Sequence, residues 1–160
     1  MDLILLDNLV ILFALVYYAF LSVVYFIRAY ERSELELKLA PIYSLLLIPF
    51  SILLALNLLY GQDISRFVTL IPIIIYLIYD LWYRLLTKKK PVHHPKKWPM
   101  GLVVYLILLM AGSIGLNWYG YIVSKLYGNI LVAAFFVMMS FFGYYQYRYG
   151  KSMKTKKPLA

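Results

Sequence analysis

Asp80 and Arg84 stand four residues apart in an otherwise apolar stretch, with Tyr76, Tyr79 and Tyr83 beside them. On a helix Tyr76, Asp80 and Arg84 share one face, because residues four apart lie one above the other. Two chemistries are open to such a set. A carboxylate in a polar pocket can serve as base, ligand or substrate anchor. An i,i+4 ion pair among tyrosines at a membrane surface needs no function, since arginine snorkels to water and tyrosines gather at the headgroups. The ion pair is favoured on sequence grounds. His93 and His94, the two histidines, are adjacent in a run rich in lysine and proline. Neighbours on an irregular segment converge on one metal less readily than an i,i+4 helical pair, and no cysteine or carboxylate nearby completes a site. No metal and no cofactor is expected. If the chain is catalytic, the candidates are Asp80, Arg84 and His94 around an anionic headgroup.

The elements that must position these residues follow from composition. The chain has 160 residues, 64% of them hydrophobic and 14% charged, with a mean hydropathy of +0.77. Such usage lies outside that of soluble domains and makes lipid the solvent for most of the chain. The absence of cysteine excludes disulfides, thiolate metal sites, iron–sulfur clusters and cysteine nucleophiles. A spanning helix needs about 20 mostly apolar residues. The sequence supplies five such segments, predicted as helices over residues 3–27, 40–60, 67–86, 100–123 and 126–147. The expected fold class is therefore all-α, an up-and-down bundle of five transmembrane helices in a single domain, with a basic tail at 148–160. Asp2 and Asp7 stand where a signal peptide would carry positive charge, so the first apolar segment is expected to be retained.

Lysine and arginine set the orientation, because they are kept on the cytoplasmic side of short connections. Arg28, Arg32 and Lys38 follow the first helix; Arg84, Lys88, Lys89, Lys90, Lys96 and Lys97 end or follow the third; Arg148, Lys151, Lys154, Lys156 and Lys157 occupy the tail. Only Arg66 and Lys125 fall on the other side. Alternation at every crossing places the N-terminus outside and the tail in the cytoplasm, in a cell membrane. It also supports the third helix, which Asp80 and Arg84 interrupt. The net charge of +9 flanks apolar spans, so anionic lipid is the expected partner and nucleic acid is not. Lys88, Lys89, Lys90, Lys96, Lys97, Lys154, Lys156 and Lys157 are the expected headgroup contacts. Ser33 and Glu36 have capping-box spacing, with i,i+4 pairs Arg32/Glu36 and Glu34/Lys38, which predicts a short interfacial helix before Pro41.

Within the spans, Pro49 and Pro72 predict kinks. Ala111, Gly112, Ser113 and Gly115, with Ala133, Ala134, Ser140 and Gly143, predict close packing of the fourth helix on the fifth as the tightest pair, turning near Gly120 and Gly128. Asn8, Asn57, Asn117 and Asn129 fall near the outer helix ends with Asp7 and Asp63, where caps and headgroup contacts account for them and a shallow vestibule is the alternative. No ionisable residue is expected near the bilayer centre.

His94, Pro95 and Gly101, ahead of a hairpin ending in Tyr147 and Arg148, partly resemble the arginine-histidine-proline pattern of membrane-embedded isoprenylcysteine and phospholipid methyltransferases. The likeness covers residues 93–150. The family pattern has arginine where this chain has His93, a glycine closer to the proline, and two glutamates where Gly150 and Lys151 stand. The resemblance implies methyl transfer to a lipid from S-adenosylmethionine. Three classes of function therefore stand, in this order: a non-enzymatic accessory or scaffold component of a membrane complex, with a membrane-protein partner or a second copy of itself; a small oligomeric transporter or channel; and an interfacial lipid-modifying enzyme.

Overall fold

The computed structural model describes residues 3–30, 42, 44–61, 63–87 and 100–155, with the side chains of 3, 84–87, 102 and 149–155 outside that description. Five helices are described: α1 Leu3–Ala29, α2 Leu47–Leu59, α3 Ile64–Thr87, α4 Met100–Val123 and α5 Lys125–Thr155. They form an all-α, up-and-down bundle. Four carry segments long and apolar enough to cross a membrane, namely Ile4–Ala29, Ile64–Tyr83, Val103–Val123 and Lys125–Arg148. The interrupted third segment is thus one continuous helix.

Helix α2 is shorter than the sequence predicts. Its 13 residues rise only about 20 Å against a hydrocarbon core of about 30 Å. Pro49 is the cause. Its ring clashes with the carbonyl four residues back, Leu45, and it has no N–H to donate. The chain turns at Leu45 and Leu46 and uses tighter bonds there, from Leu45 N–H to the Ile42 carbonyl (3.2 Å) and from Ile48 N–H to the Leu45 carbonyl (3.1 Å). Pro49 therefore sits in the first turn of α2 and breaks the predicted helix instead of kinking it. Pro72 lies inside α3 as expected.

Both tight connections have a visible chemical reason. At the end of α2, Gly61 takes φ 62°, a left-handed backbone that side chains disfavour, and its N–H reaches the Leu58 carbonyl at 3.2 Å. Between α4 and α5 the single non-helical residue is Ser124, whose hydroxyl accepts the Tyr127 N–H at 3.1 Å and so caps α5. The reversal is at Ser124. Gly120 and Gly128 are helical and let the two helices touch beside it, with their backbones in contact.

The packing corrects a second expectation. The most extensive helix pair is α3 with α4, followed by the parallel pair α1 and α5. Gly112 lies against the Ile73 backbone, and Gly115 against the Thr69 carbonyl and the Pro72 ring. Gly112 and Gly115 of α4 thus serve α3, not α5. On α5, Ala133, Ser140 and Gly143 are exposed, and only Ala134 packs against the core. Helix α1 lies against α2, α4 and α5. It buries Leu6, Val10, Ala14, Tyr17, Tyr18, Leu21 and Tyr25 at helical spacing. Aromatic rings join it to α5 along the pair, through Tyr18 with Phe135 and Tyr25 with Phe142.

A methyl group at Gly115 would press on the Thr69 carbonyl, whereas one at Gly143 would meet nothing. Gly115→Ala is expected to destabilise the protein in detergent by about 1–3 kcal/mol, and Gly143→Ala to leave it unchanged or slightly more stable. Thermal unfolding of the two variants side by side checks the difference.

Candidate functional site

Polar side chains inside the bundle lie toward both ends, with Tyr17, Tyr18 and Ser113 between them. At the end holding the N-terminus of α1, Asp7 is buried at 6% exposure. Arg66, in the first turn of α3, approaches it with Nη2 3.2 Å from Asp7 Oδ2. The Tyr119 hydroxyl of α4 donates to Asp7 Oδ1 at 2.8 Å. Asn57 of α2, exposed at only 1%, donates Nδ2 to its own Leu53 carbonyl at 2.8 Å. Three helices therefore meet on one carboxylate. Neither of its oxygens lacks a partner, as a buried charge requires, and a carboxylate so engaged holds helices together in place of acting as an open base.

The asparagines have a different role from the one expected. Tyr127 donates to Asn8 Oδ1 (2.8 Å) and Tyr121 to Asn129 Oδ1 (2.9 Å), while the Tyr18 hydroxyl lies 2.9 Å from both Asn117 Oδ1 and the Ser113 carbonyl. None of these four asparagines caps a helix in the described structure. Three accept a tyrosine hydroxyl, and two of those bonds join α1 to α4 or α5. The sequence carries one signal for the ion pair: Arg66 is one of two cations expected on its side of the bundle, and Asp7 is an acid inside an apolar run.

At the opposite end, Asp80 is exposed at only 1%. It continues the buried face of α3 formed by Leu70, Ile73, Tyr76 and Leu77, so it points into the bundle and not toward a lipid-facing belt. Tyrosines surround this level. The Tyr76 and Tyr105 hydroxyls are 2.8 Å apart, Tyr79 donates to the Gly101 carbonyl at 3.0 Å, and the Tyr83 ring lies 6.4 Å from that of Tyr105. Tyr76 is fully buried, and the aromatic residue that faces outward here is Trp82. Asp80 lies seven residues, about 10 Å of helix, before Thr87 at the end of α3 and three before Tyr83, where the apolar span ends. The side chain of Arg84 lies outside the described residues, as do His93, His94 and the lysines from Lys88 to Lys97. So do the side chains of Lys151, Lys154, Lys156 and Lys157 and the predicted interfacial helix at 31–39. Among the described residues no cluster of metal-ligating side chains is found.

Removing one partner of the buried pair leaves the other charge stranded, at a cost of about 3–5 kcal/mol. Asp7→Ala and Arg66→Ala are each expected to fall in that range. The double variant should cost clearly less than their sum, read from unfolding in detergent as a double-mutant cycle. Tyr119→Phe, which strips one hydrogen bond from a charged group, should cost about 1.5–3 kcal/mol in the same assay.

Comparison with known protein families, with curated proteins and with solved structures gives no match, so a functional reading stands on these residues themselves.

Proposed function

We propose that this chain is an integral membrane protein that crosses the bilayer five times, with its N-terminus outside and its basic tail in the cytoplasm. We propose further that it serves as a non-enzymatic accessory or scaffold component of a membrane complex. The observation that carries this reading is the use of the interior polar groups. Asp7, Arg66, Tyr119, Tyr18, Asn117, Tyr76 and Tyr105 are spent on contacts between helices, and large side chains fill the rest of the core. The outward faces are apolar, with Leu12, Ile52, Val68, Ile78, Ile114 and Phe136 all more than half exposed, as surfaces facing lipid or another membrane helix would be.

The alternation of lysine and arginine supports the orientation. The second crossing is made by α2 with the apolar residues that precede it in the sequence from Ala40. The cytoplasmic lysines Lys88, Lys89, Lys90, Lys96, Lys97, Lys154, Lys156 and Lys157 would rest on anionic headgroups, each contributing about 1 kcal/mol. A second reading, lipid chemistry at the cytoplasmic surface, is favoured by the burial of Asp80 in a tyrosine-lined interior, with Arg84 and His94 as further candidates.

Purification of the tagged chain in mild detergent, with mass spectrometry of proteins and lipids, is expected to yield a stoichiometric membrane-protein partner. A lone monodisperse protein that turns over a lipid, and loses that activity in Asp80→Asn, would favour the second reading. Orientation has its own test, since the chain has no cysteine. A membrane-impermeant maleimide should label Lys125→Cys in intact cells and Lys156→Cys only after permeabilisation; labelling of both from one side would contradict a crossing by α5.

A further inference from the structure

Along the parallel pair α1 and α5 runs an open groove of about 390 Å³, lined by Phe26, Tyr30, Val137, Ser140, Phe141 and Tyr144. That volume lies within the range of about 300–1,000 Å³ usual for ligand clefts. Its wall is apolar except at one end, and the groove exists because of local sequence choices. On α5, Ser140 folds its hydroxyl back onto the Phe136 carbonyl at 2.8 Å, which leaves a shallow stretch between larger neighbours. On the α1 side, Phe26 meets Phe141 edge to face and leans on Tyr30, fixing the wall.

The polar end is built differently. The Tyr30 and Tyr144 hydroxyls stand 3.5 Å apart, and the Arg148 guanidinium lies over the Tyr30 ring at 4.7 Å from its centroid. Ser140, Tyr144 and Arg148 follow one another at four-residue spacing on one face of α5. The apolar spans of both helices end at this level, at Ala29 and Arg148. From Arg148 the groove reaches Val137, eleven residues or about 16 Å deeper along α5, which is about half the thickness of the hydrocarbon core.

We infer that this groove binds one anionic phospholipid of the cytoplasmic leaflet, with an acyl chain along Phe26, Val137, Ser140 and Phe141 and the phosphate at Arg148 beside the Tyr30 and Tyr144 hydroxyls. Charge complementarity selects this occupant. A partner helix would meet a cation and two hydroxyls at the rim of an apolar slot, whereas a phospholipid presents an anion joined to a chain at the same separation. Guanidinium and phosphate match as a charge-assisted, two-point contact. The inference rests on the proposed orientation, which puts this end in the leaflet that carries anionic lipid.

The test uses the full chain in mild detergent, offered phosphatidylglycerol and phosphatidylcholine with the same acyl chains, with bound lipid counted by native mass spectrometry. Wild type should retain phosphatidylglycerol in preference to phosphatidylcholine. Arg148→Gln should lower phosphatidylglycerol retention about fivefold, the effect of one basic residue at the surface, and leave phosphatidylcholine unchanged. Ser140→Trp, which fills the groove, should lower both. Lys125→Gln, at the other end of α5, should alter neither, and millimolar inorganic phosphate should not displace the lipid. Equal retention of the two lipids by wild type, no response to Arg148→Gln, or displacement by phosphate alone would overturn the inference. So would a stable dimer in which Val137 is shielded from lipid. Each variant is first checked for helicity and monodispersity, and a misfolded Ser140→Trp is replaced by Val137→Phe. Cysteine labelling on the same preparations scores orientation separately, so an inverted chain is distinguished from an empty groove.

Discussion

The contact between Asp7 and Arg66 (3.2 Å) is the interaction on which the bundle most depends. Lipid offers no hydrogen bonds, so a charge near the end of a spanning helix must find its partner inside the protein or reach the headgroups. Asp7 finds it inside. Its two oxygens draw α3 and α4 toward α1. Because the pair satisfies itself only in one arrangement, it selects the register of three helices that are far apart in sequence. The general association of apolar helices in lipid is weak and unspecific by comparison.

The rest of the packing follows from that register. With Arg66 fixed at the start of α3, the turn around Thr69 and Pro72 faces Gly115 and Gly112 of α4. Close backbone approach at that point gives α3 and α4 the largest contact in the bundle. Further along the same face come Ile73, Tyr76 and Asp80, and Tyr105 of α4 meets the Tyr76 hydroxyl. Helix α5 is attached chiefly along α1, through an aromatic seam that runs from Tyr127 with Asn8 to Tyr30 with Tyr144. The seam leaves the outer side of α5 open, and the groove beside Arg148 is the consequence.

Much of this architecture is legible in the sequence, because membrane physics acts on long averages. Uncharged runs of about 20 residues mark spans however they pack, and the basic connections mark their order. Helix α3 was legible in this way despite Asp80 and Arg84. What the sequence conceals is pairwise. Pro49 reads as a kink, yet whether a helix bends or breaks depends on what holds its neighbouring turn. Gly112 and Gly115 advertise a close contact without saying with which helix. Asp7 and Arg66 are 59 positions apart, and nothing local ties them. Asp80 reads as interfacial from its distance to the end of α3, and only the direction of its helix face shows that it is buried.

The register of the bundle turns on one contact, and solid-state NMR measures it directly. In bilayers, with Asp7 labelled at its carboxyl carbon and Arg66 at its guanidinium nitrogens, strong dipolar dephasing is predicted from an N···O separation of 3.2 Å, and it should persist when salt is raised outside. Absent dephasing, or an Arg66 signal that responds to external salt like an exposed side chain, would contradict the buried clamp and the register that follows from it.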